Sequence, residues 1–420
     1  MAEAKQQYSI RTKANTSLST FKDFVQDLDQ GKGKQETPQY VRHQIYVTSL
    51  SDSQAEEVRK KDFVLFVEPI SDTTPLNYTR AAPKLRRAFP KPNVHLPTFN
   101  ESSPAKTKRD GSVPNQLQLL SWNRMGKPPP ETRYRQDKRK GKGVTVYILD
   151  TGFNLRLREL APRDRTVKHY FPPDYLTPVS GHGLRRRRVN IDDRDNHGST
   201  MAVVTGGVTM GIASKANLYL IKIGHDYKDE DGNNEILTTP ATWQNVLDHV
   251  IFDLGRRAEN PEPGDDLKSV VTFAMGTDTF LPPLDLIVLD HDDDHDHVYT
   301  AMVQEFYDDL ATYDVVAVCS AGNDAPYGRT LQDYYFSALS TEDNVAMPVG
   351  GINMDGTLYD FTPPDAGGAK KVVYAQATDL DLMLADGTME WGADGGVSTP
   401  TQIVVSQFLS PLSSPTSTLI

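Results

Sequence analysis

From Val144 onward, short apolar runs alternate with stretches of helical periodicity, and few architectures satisfy that pattern. The runs are VTVYILD (144–150), NLYLIKI (217–223), SVVTFAM (269–275) and VVAVCSA (315–321). Between the second and third, Trp243, Val246, Leu247, Val250, Ile251 and Leu254 fall at i, i+3, i+4, i+7, i+8 and i+11, an apolar stripe along one face of a helix. Strands that are apolar throughout, rather than at every second residue, are covered on both faces. The pattern therefore predicts an α/β fold, a three-layer parallel sheet with helices on both faces. In such folds functional groups collect at the carboxyl ends of the strands.

The chain has 420 residues, more than a single domain usually needs, and predicts one large domain with something smaller attached. Hydrophobic residues make up 38% and charged residues 24%, which is enough apolar surface for a real core. The formal net charge of -11 argues against nucleic acid as a partner, because phosphate neutralisation needs surplus Lys and Arg. Cys319 is the sole cysteine, so no intramolecular disulfide is possible, and in its apolar run it reads as a buried small hydrophobe. The first residues, MAEAKQQYSIRTKANTSLSTF, contain no apolar signal core, and no run approaches a membrane span. The chain as it stands is expected to be intracellular, to avoid membranes and to act as a monomer; it would be secreted if the gene carried an upstream signal.

Composition divides the chain further. Residues 1–35 read as disordered. Residues 36–75 contain a small unit of strand, helix and strand, with Ser53 and Glu56 as a capping box at the helix start and FVLFVEPI (63–70) as the closing strand. Residues 76–115 are basic and rich in Pro, as in RAAPKLRRAFPKP, and read as an exposed linker. Residues 116–410 hold the large domain, with LQLLSW (117–122) near its start able to dock, and 411–420 form a tail.

Asp150 ends the first apolar run and precedes Thr-Gly; His197 opens NHGSTMAVVTGG after an Asp-rich loop; Asn323 closes VVAVCSAGND. Singly, each has an ordinary explanation as a turn or cap residue. Together, strand-DTG, NHGST-MA opening a helix and strand-SAGN, in that order, resemble the subtilisin family of serine proteases (peptidase S8). The resemblance implies that Asp150 orients the imidazole, His197 is the general base and Asn323 donates to the oxyanion. It also implies a nucleophilic serine near the C-terminus, and GGVSTPTQIVVSQFL offers Ser398, with Val404 and Val405 on the family's apolar helix positions. Three residues depart from the family pattern there: Val397 stands for Thr, Pro400 for Ala and Gln402 for Pro. Pro400 falls in the first turn of the expected helix, where a missing N–H costs little.

Two further segments extend the likeness. VTFAMGT (271–277) is similar to the family's substrate-pairing strand, which makes Ala274, Met275 and Gly276 the residues expected to bind an extended peptide. The unit HQIYVTSLSDSQAEEVRKKDFVLFVEPI looks like part of an inhibitor I9-like, ferredoxin-like prodomain, and LQLLSWNRM is similar to the start of the mature enzyme. By resemblance, then, the chain is a serine endopeptidase acting on proteins or peptides, with its own prodomain as intramolecular inhibitor. The alternative is a catalytically silent scaffold of the same family that binds peptides or partners. The chemistry calls for no cofactor, and no ligand set in the sequence locates a structural calcium. HDDDHDH (291–297) and Arg185 to Arg188 read as solvated insertions rather than as a metal site or an anion site.

Overall fold

The computed structural model describes residues 6–12, 24, 39–42, 45–69, 74–75, 114–118, 139–173, 185–186, 190–228, 234–238, 240–262, 264–275, 294–365 and 372–412. Four antiparallel strands form the N-terminal unit: β1 (Gln6–Thr12), β2 (Gln39–Arg42), β3 (Ile45–Leu50) and β4 (Val64–Pro69), in the order β2-β3-β1-β4. Helix α1 (Asp52–Arg59) packs on this sheet, and Tyr8, Ile10, Leu50, Ala55, Val58 and Val67 make its core.

Two expectations are corrected here. Gln6–Thr12 lies within the stretch read as disordered, yet β1 pairs with both β3 and β4 and so sits inside the sheet. Its sequence, QQYSIRT, has only two large apolar residues at period two, too weak a signal against a polar N-terminus. The helix starts earlier than Ser53: the Ser51 hydroxyl accepts from the Gln54 N–H at 3.3 Å, and the Ser51 N–H donates to Gln54 Oε1 at 2.9 Å. Capping there leaves Ala55 and Val58 facing the sheet and puts Asp52 in the first turn, where the helix dipole favours a carboxylate.

The large domain is built on seven parallel strands in the order β15-β14-β13-β12-β6-β9-β7. They are β6 (Thr145–Asp150), β7 (Val167–Tyr170), β9 (Asn217–Lys222), β12 (Ser269–Phe273), β13 (Val316–Ser320), β14 (Ala346–Ile352) and β15 (Val373–Gln376). After a short helix α2 (Asn115–Gln118), the longer helices are α3 (His197–Gly206), α4 (Pro240–Glu259), α5 (Asp294–Thr312) and, past the short α6 (Tyr335–Ala338), α7 (Ser398–Leu412). Successive strand residues face opposite sides, so one sheet yields two cores. Tyr147, Leu149, Ile221 and Phe273 meet Trp243, Val246, Leu247, Val250 and Leu254 of α4, and Phe306 and Leu310 of α5. Val146, Ile148, Leu220 and Val270 meet Ala202 and Val203 of α3, and Ile403 and Val404 of α7. The expected three layers and the expected stripe on α4 are both present.

A second, antiparallel sheet joins the two parts of the chain. Its order is β5-β11-β10-β8, from β5 (Thr74–Pro75), β8 (Arg185–Arg186), β10 (His225–Lys228) and β11 (Asn234–Thr238). Pro75 pairs with Leu237 and Thr74 with Thr238, and β2 touches α4. The remaining strands, β16 (Leu380–Met383) and β17 (Met389–Ala393), form a hairpin. At the entry to the large domain the docking contact is polar and lies just before LQLLSW. The Asn115 N–H donates to the buried Asp381 carboxylate at 2.9 Å, and Gln116 Oε1 accepts from the Asp381 N–H at 3.2 Å. No helix among the described residues is long and apolar enough to cross a membrane.

Candidate active site

Asp150 is the last residue of β6 and is fully buried. Its Oδ1 accepts from the Thr151 N–H at 2.7 Å and from His197 Nδ1, also at 2.7 Å. A carboxylate can only accept, so Nδ1 carries the proton and the lone pair stays on Nε2. His197 is the first residue of α3, after Asn196 in the left-handed region at φ 72°, a conformation that Asn tolerates better than most residues. Gly198 is required by space: a Cβ would lie 2.2 Å from the Gly152 carbonyl oxygen and 2.9 Å from Asp150 Oδ1. The close approach of α3 to the end of β6 thus depends on a missing side chain.

The loop before the histidine is tied down by Asp193, which no sequence motif singled out. Its Oδ2 accepts from the Ser199 N–H at 2.8 Å and its Oδ1 from the Asn196 N–H at 3.0 Å, so the carboxylate satisfies free donors at the start of α3. Lys222 is likewise outside any motif and lies in a run that otherwise reads as an apolar strand. It is paired in register with Asp150, it is fully buried, and its ammonium donates to both carboxylate oxygens of Asp226 at 2.9 Å and to the Asp192 carbonyl at 2.7 Å. A charge inside an otherwise apolar run, and an Asp four residues before the His, were the available signals. Burial by itself would lower the pKa of His197. The Asp150 carboxylate, by charge and hydrogen bond, and the charges of Asp195 and Asp193 outweigh it and push the value up to about 8.

Ser398 is the first residue of α7 and is 3% exposed; its Oγ donates to the Ala274 carbonyl at 2.5 Å. Asn323 follows β13, and its Oδ1 accepts from the Val397 N–H at 2.6 Å, which brings this side chain beside the serine. Gly396 has φ 58°, and a Cβ on it would come within 3.1 Å of the Asn323 amide. Val397 is buried against Ala321, Leu331, Tyr359 and Ala377, an apolar seat that explains Val where the family has Thr. Pro400 lies in the first turn of α7 and the helix forms regardless, with the Thr401 N–H donating to the Val397 carbonyl at 3.3 Å. Ala274 and Met275 are buried at the end of β12, while Gly276 lies outside the described residues. The side chains of Arg185 to Arg188 and of HDDDHDH also lie outside them, and no group of metal-ligating side chains occurs among the described residues.

β6 and α3 thus bring a carboxylate and an imidazole to hydrogen-bond distance, and the end of β13 and α7 bring an asparagine beside a serine whose hydroxyl is held by the Ala274 carbonyl. Residues 141–402 match the subtilase family, peptidase S8. The chain belongs to that family. Subtilisin-like protease 2 of Pseudogymnoascus destructans is 25% identical to this subtilase over 262 residues, covering 61% of this chain and 50% of that protein. Subtilisin-like protease 1 of the same organism is 33% identical over 224 residues, covering 53% of this chain and 41% of that protein. The subtilase therefore spans about half the length, or less, of the curated relatives that it matches. Among solved structures, sphericase is similar at 15% identity and a TM-score of 0.47, covering 73% of this chain and 86% of that one.

Proposed function

We propose that this subtilase is a serine endopeptidase whose triad is Asp150, His197 and Ser398, with Asn323 in the oxyanion hole. The observation that carries the reading is the 2.7 Å hydrogen bond from His197 Nδ1 to the buried Asp150 carboxylate, which leaves the lone pair of the neutral imidazole on Nε2, where it can act as the base. In this reading the Ser398 hydroxyl leaves the Ala274 carbonyl and turns to Nε2 when substrate is bound. The oxygen then attacks the substrate carbonyl carbon while its proton passes to Nε2. The carbonyl electron pair moves onto oxygen, where the Asn323 amide and the Ser398 N–H donate to it. Collapse expels the amine, which takes the proton from the imidazolium, and water repeats the sequence on the acyl-enzyme. Proteins or peptides are the substrates, and no cofactor enters the chemistry.

The base works only when neutral, so kcat/KM should rise with pH through a midpoint near 8 and level off above it. Because Asp195 contributes to that elevation, Asp195→Asn should move the rising limb to lower pH. A limb that stays in place would mean that another group controls it.

The N-terminal unit acts as an intramolecular inhibitor in this reading, supported by the pairing of Thr74–Pro75 with Leu237–Thr238 just ahead of α4. Maturation then cuts between Pro75, held on β11, and Pro114, next to the Asn115 that Asp381 holds. Purified wild type on incubation should shorten to a species whose N-terminal sequence begins between these two prolines, and Ser398→Ala should remain whole. A silent scaffold is the second reading, favoured by the Ser398 hydroxyl being engaged with Ala274. Wild type that stays intact while folded would favour it.

A further inference from the structure

Gln402 stands where the family has proline, and it makes contacts that proline cannot. It lies one turn after Ser398 on the same face of α7 and is fully buried. Its Nε2 donates to Thr272 Oγ1 at 3.0 Å, and its Oε1 accepts from Thr205 Oγ1 at 2.6 Å. Thr272 belongs to β12, two residues before Ala274, whose carbonyl accepts from Ser398. Thr205 belongs to α3, the helix that His197 opens. One side chain therefore joins the serine helix, the histidine helix and the strand on which the serine hydroxyl rests. One turn further on, the single proton of Ser406 Oγ is shared between the Gln402 carbonyl at 2.8 Å and the Thr205 carbonyl at 3.2 Å, a second contact between the helices. Gln402, Thr205, Thr272 and Ser406 are all fully buried.

We propose that Gln402 is a positioning residue, which sets the rotation and depth of α7 against α3 and β12 and through them the place of Ser398 Oγ relative to His197. The proposal rests on Ser398 being the nucleophile. Apolar packing between two helices tolerates small slides and rotations, whereas a buried amide bonded in two directions does not, because each bond lost leaves a polar group unsatisfied in a dry interior. Displacements of about 1 Å at a nucleophile can cost on the order of 10²-fold in rate, so a device of this kind acts on kcat rather than on substrate binding.

The test compares wild type with Gln402→Met, which keeps length and loses both hydrogen bonds, and with Gln402→Glu. In a site this dry the Glu carboxyl is neutral; it can donate to Thr272 and accept from Thr205. On a chromogenic peptide ester, Gln402→Met should lower kcat by about tenfold to a hundredfold at little changed KM, and Gln402→Glu should recover most of the loss. Crystal structures of wild type and Gln402→Met should show Ser398 Oγ displaced from the Ala274 carbonyl. If Gln402→Met does not fold, Thr205→Val and Thr272→Val each remove one of the two bonds to the Gln402 side chain and should lower kcat in the same way. An unmoved serine with kcat near wild type, or a loss that falls on KM alone, overturns the proposal. Inert wild type would instead refute the peptidase reading, and the displacement of Ser398 would still decide whether Gln402 positions it.

Discussion

Replacing His197 with alanine should lower kcat by on the order of 10⁶, the scale of the same removal in subtilisin. In the proposed mechanism no other group takes the serine proton, and the oxyanion donors that remain would not make a neutral hydroxyl a good nucleophile. His197→Ala also takes from the buried Asp150 one of the two donors on its Oδ1 and leaves the Thr151 N–H. Some stability is lost with it, since an uncompensated buried carboxylate is costly. Thermal unfolding must therefore accompany the kinetics. Ser398→Ala supplies the cleaner companion, because its hydroxyl gives up only the bond to the Ala274 carbonyl, and the two variants should lose activity to similar extents. A His197→Ala protein that is folded and retains more than about a hundredth of wild-type kcat would remove His197 from the mechanism.

Asn323→Ala should lower kcat by about 10²- to 10³-fold, the range for removal of one oxyanion donor, with KM little changed. In the proposed mechanism the side chain would have two jobs, since Oδ1 accepts from the Val397 N–H at 2.6 Å and so holds the residue before the serine. Asn323→Asp separates them. It keeps an acceptor for Val397 and replaces the donating amide by a carboxylate that repels the oxyanion. If electrostatic stabilisation is the main role, Asn323→Asp should be at least as slow as Asn323→Ala while unfolding at a temperature nearer to wild type. If holding Val397 is the main role, the aspartate should be the faster of the two.

What could be read from the sequence follows from how far each signal reaches along the chain. Strand-end Asp150 and Asn323 and helix-start His197 sit in local patterns that carry their own geometry, and the structure brings Asp150 and His197 together at hydrogen-bond distance. The stripe from Trp243 to Leu254 is a property of one helix, and it packs as a stripe. Residues whose partners are remote in sequence were opaque. Tyr8 and Ile10 make sense only beside β3 and β4. Lys222 breaks an apolar run, and only the approach of Asp226 and the Asp192 carbonyl shows why a charge is tolerated there. Gln402 looked like a departure from pattern because Thr205 and Thr272 lie 197 and 130 residues away along the chain. The start of α1 is ambiguous in sequence for a different reason: two overlapping capping patterns, at Ser51 and at Ser53, compete locally, and the cap at Ser51 is the one that leaves Ala55 and Val58 buried.

Covalent capture of the nucleophile tests the central claim most directly. Wild-type protein treated with a peptidyl phosphonate, digested and analysed by mass spectrometry should carry the adduct on Ser398. His197→Ala should label far more slowly, because the serine then lacks its base, and Ser398→Ala should not label at all. Folded, processed wild-type protein that takes up no phosphonate, or an adduct found on another serine and retained in Ser398→Ala, would contradict the account.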